Sequence, residues 1–255
     1  MLNNFHYISH LLFIYTSHIL FCFFILNIHA QKVYEATYGV EPINTLKEGK
    51  IYDPRVKSLL VESAEYAKKN KFILITDNSN SYFREKERIE VDFDDKRNLI
   101  YSKLSRGITK FNDVVYIDYK DNSLIFSRNL VGKYYVVKKD EFYDFKWDIK
   151  KETKIIAGLK AQKAVGTYYD IFFEKERTII AWFIPSIPIP AGPDIYFGLP
   201  GLVGEVQLRK AIVKIESIEE YNESVRQPTF KDVMSYEDYL DFVTKANAKI
   251  KKEYN

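Results

Sequence analysis

The chain has 255 residues, and its 38 Lys and Arg against 35 Asp and Glu leave a net charge of +3, with the signs interspersed along the sequence. That balance excludes a nucleic-acid partner, which needs basic residues clustered on one face. Hydrophobic residues make up 46% and aromatics 16%, with 20 Tyr and 18 Phe; this suits a β-rich core, or an aromatic-lined binding surface on one.

Residues 1–30 contain no Lys, Arg, Asp or Glu, and an apolar run from Leu11 to Ile28 closes on His29-Ala30. A short apolar segment ending in a small residue predicts a secretory signal cleaved after Ala30. Cleavage would leave no stable transmembrane span and a periplasmic or outer-membrane-associated chain of residues 31–255. A retained signal anchor is the alternative, since the run approaches bilayer-spanning length. All four histidines (His6, His10, His18, His29) and the single cysteine, Cys22, fall inside this segment. Residues 31–255 therefore exclude thiol nucleophiles, Ser–His–Asp triads, imidazole or thiolate metal sites, and disulfides. No cofactor and no metal is expected.

Asp53-Pro54 reads as an N-cap followed by proline at the first helical position. Val56, Leu59, Leu60, Ser63, Ala64 and Ala67 share one side of the helix that follows, which ends near Asn70. The period then changes: Phe72 to Thr76 reads as a strand, Asp77 to Asn80 as a turn, and Ser81 to Phe83 as the return strand. Further strands are expected over Asn98–Leu104, Val114–Tyr119, Leu124–Ser127, Lys133–Val137, Lys154–Ala157, Lys163–Tyr168, Asp170–Phe173 and Thr178–Phe183. Two more are expected over Leu202–Leu208 and Ala211–Ile218. Ser235 and Asp238 form a capping pair for a last helix, with Tyr239, Val243, Ala246, Ile250 and Tyr254 as its apolar stripe. Strands joined by short polar turns imply an antiparallel meander. The expected fold is mainly β (α+β): a single domain over residues 31–255, as a curved meander sheet or open half-barrel. One helix lies on its N-terminal side and one at the C-terminus.

Between the strands ending at Phe183 and starting at Leu202 lies "IPSIPIPAGPDIYFGLPG". Pro188 and Pro190 cannot donate to a ladder, so the segment is a sheet edge or an extended polyproline-like stretch, with Ile187 and Ile189 free to pack inward. Leu199-Pro200-Gly201-Leu202 fits a type II turn, with φ > 0 at Gly201. Gly198 and Gly204 permit close backbone approach. The glycine spacing lacks the Lys-Ser/Thr of a phosphate loop and the close pair of a dinucleotide fingerprint. Phe197, Leu199 and Leu202 form a hydrophobic crest, either self-packed or presented as a surface.

"IPIPAGPDIYFGLPGLVGEV" closely resembles the signature of the GLPGLI family of exported bacterial proteins, and "FKWDIKKETKIIAGLKAQKA" (Phe145 to Ala164) resembles the segment that precedes it there. The likeness covers about Trp147 to Val206. The final hydrophobic pair reads Leu202-Val203 here, the cysteine often found before the Lys-Ala pair is Ala161, and Glu176-Arg177 stands near where a Gly-Arg pair is common; the missing cysteine argues against a redox role. The resemblance implies a Gram-negative envelope location and a β-rich fold, and no established activity.

Three functions remain open. The first is a non-catalytic envelope protein that binds or carries an apolar or aromatic small molecule or lipid in its curved sheet. The second is a docking partner of an outer-membrane transporter or surface machine, with the Pro/Gly crest as the epitope. The third is a carboxylate hydrolase using Asp92, Asp94 and Asp95, or Glu174 and Glu176. The candidate ligand- or partner-binding residues are Trp182, Phe183, Ile187, Ile189, Pro190, Gly192, Pro193, Tyr196, Phe197, Gly198, Leu199, Pro200, Gly201 and Leu202; the same side chains would equally serve a core.

Overall fold

A ten-residue strand, β1 (Val33–Pro42), anchors the middle of the sheet. Tyr34, Ala36, Tyr38 and Val40 turn to one face at the period of two that a half-buried strand requires. The computed structural model describes residues 32–254 apart from 44, 47, 88–95, 131 and 171–173. The leader expected at 1–30, residues 171–173 of the strand expected over Asp170–Phe173, and Asp92, Asp94 and Asp95 lie outside the described residues, while Asp170 itself ends β8.

After β1 come α1 (Pro54–Ala67), β2 (Lys71–Thr76), β3 (Asn80–Glu85), α2 (Lys96–Thr109), β4 (Val114–Asp118), β5 (Ser123–Leu130) and β6 (Lys133–Lys139). The chain continues through β7 (Lys146–Ile156), β8 (Leu159–Asp170), β9 (Lys175–Ile184), β10 (Leu202–Gln207), β11 (Ala211–Tyr221), β12 (Val233–Ser235) and α3 (Tyr236–Tyr254). The described strands form one open twelve-stranded sheet in the order β12-β6-β5-β4-β3-β2-β1-β11-β10-β9-β8-β7. Two antiparallel meanders, β2 to β6 and β7 to β11, flank β1. The sheet is mixed, because β12 joins β6 in parallel.

The connection from β6 to β7 dictates the curvature. β6 and β7 lie ten strand steps apart, about 48 Å in a flat sheet. Residues 140–145 reach at most about 25 Å. The sheet must therefore curl until its two sides approach each other. The connector bridges the gap, with the Phe142 ring 4.9 Å from that of Phe197 and the Phe145 ring 5.3 Å from that of Trp147. The architecture is the open half-barrel that the strand rhythm implies.

Local chemistry explains the elements. The Asp53 carboxylate accepts from the Arg55 backbone N at 2.8 Å and caps α1, with Pro54 in its first turn. At the start of α3, Ser235 Oγ accepts from the Asp238 backbone N at 3.1 Å. Ala157 and Gly158 both take positive φ in the tight β7–β8 hairpin. Tyr38 is fully buried and its hydroxyl donates to the Val203 carbonyl at 2.7 Å, tying β1 to β10 across the interior. Tyr38→Phe should lower the unfolding free energy by about 1 to 2 kcal/mol in urea titrations, because a buried acceptor loses its donor.

The expected element list is corrected at several places. Asn98–Leu104 is helical, within α2. Its inward positions are Ser105 and Thr109, with Tyr101 and Ser102 half-buried beside them, while Leu99, Ile100 and Leu104 stay exposed. The apolar letters therefore misreport the buried face. With α2 the described residues hold three helices where two are expected. β1 and β12 have no counterpart among the expected strands. Among the described residues no helix is long and apolar enough to cross a membrane.

Candidate functional site

The Pro/Gly segment, residues 185–201, runs down the concave side of the curled sheet and back. Ile187 and Ile189 are buried, as alternation with Pro188 requires, and Pro188 itself is exposed. The descending arm uses its carbonyls: Ile187 O accepts from Leu202 N at 2.9 Å, Pro190 O from Gly198 N at 2.9 Å, and Ala191 O from Val203 N at 2.8 Å. An arm whose prolines cannot donate is thus held by the return arm. The crest of Phe197, Leu199 and Leu202 points inward and is buried.

Aromatic contacts place the loop between the two sides of the sheet. Phe197 lies 6.1 Å from Tyr119, just after β4, and 4.9 Å from Phe142. Tyr196 lies 6.3 Å from Phe111, just before β4, 5.8 Å from Phe145, and 6.3 Å from Tyr168 on β8. The Trp147 indole donates to the Phe197 carbonyl at 3.1 Å.

The turn at Leu199–Leu202 differs from the expected type II turn. Gly201 N donates to Leu199 O, two residues back, at 2.7 Å. Gly201 takes the expected positive φ, but at 158° it lies far from the roughly +80° of a type II turn. Glycine is needed there for room: a Cβ would lie 2.5 Å from the Ile184 carbonyl oxygen.

The expected aromatic wall divides. Phe183 faces the core, while its neighbour Trp182 takes the other face of the sheet, as strand alternation dictates. There Lys154 Nζ sits 4.4 Å from the Trp182 ring and 2.6 Å from the buried Glu205 carboxylate. Trp182 Nε1 is buried without a partner in the structure. Of the expected site residues, Ile187, Ile189, Gly192, Pro193, Tyr196, Phe197, Leu199, Gly201 and Leu202 are brought together in the loop's buried interior, and Pro190 is half-buried beside them. Gly198 and Pro200 are exposed at its bends, and Trp182 stands apart.

At the far tip of the loop Asp194 is buried, with φ of 56°. Its Oδ1 accepts from Asn112 through the backbone N at 3.2 Å and Nδ2 at 2.6 Å. Burial pushes the carboxyl up to about 6, against the opposing pull of Arg128 and the Asn112 donors. The surroundings are basic: burial, with Arg209, Arg128 and Lys210 around it, holds the Lys110 ammonium below its usual value.

The opposite end of the sheet, where β1 begins and β11 finishes, carries an open groove of about 660 Å³. Tyr34, Leu159, Ile187 and Ile218 give it an apolar floor, Glu220 shares the face of Tyr34, and Glu216 to Glu219 of β11 border it. Ile187 is the one expected site residue that reaches it. Tyr34 and Ile218 are new; the alternation Tyr34, Ala36, Tyr38, Val40 is the sequence signal for the first. Glu174 lies in the β8–β9 turn and Glu176 is exposed on β9. Among the described residues no group of three or more His, Cys, Asp or Glu side chains is placed to hold a metal ion.

A family model described as a protein of unknown function (Porph_ging) matches residues 150–205. The match runs from β7 through the Pro/Gly segment to Glu205, so it takes in the buried loop and the Lys154–Trp182–Glu205 cluster. No curated protein matches the chain.

Proposed function

We propose that this chain is an exported, non-catalytic protein of a Gram-negative cell envelope that binds the apolar part of a ligand in the groove at the β1/β11 end of its sheet. The observation that carries the reading is the division of the concave face: the Pro/Gly loop fills its depth, and an open groove with an apolar floor remains at one end. A pre-formed concavity with apolar lining and a few polar groups is the usual form of a binding site. Export is supported by the charge-free leader, and a non-catalytic role by the absence of His and Cys from residues 31–255. The proline-braced loop holds Ile187 in a fixed position at the groove, so little ordering would oppose binding.

Native mass spectrometry tests the reading on protein purified without detergent from the envelope of the producing cell. The expected result is an added mass that disappears on denaturation and is absent from Ser186→Trp, a change that fills the groove from an exposed position. An unliganded mass, with crosslinks from the 216–220 strand to an outer-membrane protein, would instead make the groove a docking surface. An unliganded mass without crosslinks would sink both.

A further inference from the structure

We propose that the outward face of α2 rests on an anionic phospholipid surface. The helix reverses the usual amphipathic order. Its inward side chains are small and polar: Ser105 and Thr109 are buried, and the amide of Asn70, just past α1, donates to Ser105 Oγ at 3.4 Å. Its apolar side chains turn to solvent, with Leu99 37% exposed, Ile100 49% and Leu104 43%. At about 3.6 residues per turn they lie, with Lys103 and Gly107, on the side away from Ser105 and Thr109. Single exposed apolar residues are ordinary on a protein surface, but these three share one side of two helical turns. Charge says what covers that side. α2 holds Lys96, Arg97, Lys103 and Arg106 and no Asp or Glu, and Arg106 also pairs with Glu85 at 3.0 Å. Glu90, Asp92, Asp94 and Asp95 precede the helix in the sequence, so the attraction is assigned to its C-terminal half. There the positive charge continues onto neighbouring elements. The Lys110 carbonyl accepts from Arg128 Nη2 at 2.8 Å. Arg209 and Lys210, in the β10–β11 turn, bear on the Lys110 ammonium together with Arg128, and Asp170 opposes them. A basic helix with Leu and Ile interleaved among its cations is the form that lies in the headgroup layer. The apolar side chains enter the acyl boundary and the lysine stems reach back to phosphate. An acidic protein would meet the charges without needing Leu99, Ile100 and Leu104. No residue of the groove takes part, so this surface does not depend on the binding reading above.

The test uses the full chain carrying Cys22→Ser and Gly107→Cys, with an environment-sensitive fluorophore on residue 107, where an added Cβ meets nothing within 4 Å. Vesicles of phosphatidylcholine, alone or with about 30% phosphatidylglycerol, are titrated in at low salt. Emission should rise and shift to the blue on the anionic vesicles and change little on the neutral ones. The response should collapse in roughly 0.5 M salt, where the screening length falls to a few ångström. Adding Lys103→Gln/Lys110→Gln should weaken the apparent affinity about 25-fold, at about fivefold per cation near the surface. Adding Ile100→Gln/Leu104→Gln should weaken it roughly tenfold. Both pairs are exposed, so neither should move the urea midpoint. Ser186→Trp should leave the response unchanged, which separates this surface from the groove. A fluorophore that stays silent on anionic vesicles would overturn the proposal, even if the chain reached them through its leader. A response abolished by the lysine pair but indifferent to the apolar pair would overturn the membrane assignment and make the face a contact for an acidic protein.

Discussion

Gly192→Ala should be among the most damaging single substitutions available in this chain, lowering the unfolding free energy by about 4 kcal/mol. A Cβ at residue 192 would lie 2.0 Å from the Tyr196 carbonyl oxygen and 2.8 Å from the Val203 Cβ. The first clash is with backbone, so no rotamer change relieves it. Relief requires the two arms of the Pro/Gly loop to separate. Separation breaks the Ala191–Val203 hydrogen bond and shifts Tyr196 away from Phe111, Phe145 and Tyr168. Core overpacking ordinarily costs about 1 to 3 kcal/mol when side chains can adjust, and here they cannot. Gly198→Ala provides the contrast. A Cβ there would meet only Trp147 Nε1, at 3.9 Å, and the cost comes from φ of +89° alone, about 1 to 2 kcal/mol. Urea titrations of the two variants should therefore separate clearly. If Gly192→Ala fell within 1 kcal/mol of the unsubstituted protein, the two-armed packing of the loop would be wrong.

The same loop shows what a linear reading reaches. Proline's missing N–H is a local fact, so the exclusion of Pro188 and Pro190 from a ladder and the inward turn of Ile187 and Ile189 follow from the letters. The loop's destination is a long-range fact. Phe197 meets Tyr119 and Phe142, and Tyr196 meets Phe111, at separations of 55 to 85 residues that no spacing rule encodes. What sends the loop inward is the curl of the sheet, and that follows from the short 140–145 connector joining distant strands. Local signals also compete: in α2, Leu99, Ile100 and Leu104 advertise a strand, whereas packing is decided by Ser105 and Thr109 at helical spacing. The groove was legible only in fragments. Tyr34 and Ile218 belong to strands far apart in sequence, and the antiparallel pairing of β1 with β11 sets them side by side.

Acid should strengthen the far end of the loop, against the usual trend for carboxylates. Asp194 is raised from 3.8 to about 6 by burial, which outweighs Arg128 and the donors from Asn112 and Ile195. The folded protein therefore holds this proton more tightly than the unfolded chain. The stabilisation is complete below the unfolded value near 3.8 and is lost as pH rises through about 6. The difference corresponds to about 3 kcal/mol at 1.36 kcal/mol per unit. Acidification also changes the charge of other groups in the chain, so the curve of the unsubstituted protein is a sum over many sites. The readout is thus the difference between the unsubstituted protein and Asp194→Asn, compared by urea midpoint from pH 4 to 7.5. Asparagine keeps an acceptor for Asn112 and cannot ionise. Its variant should lose the destabilisation that sets in between pH 4 and 6, so the two curves should diverge with rising pH, in favour of Asp194→Asn at pH 7. Parallel curves across that window would mean that Asp194 titrates like an ordinary surface carboxylate. A buried loop tip would then be excluded, because it is the loss of water around Asp194 that drives the shift.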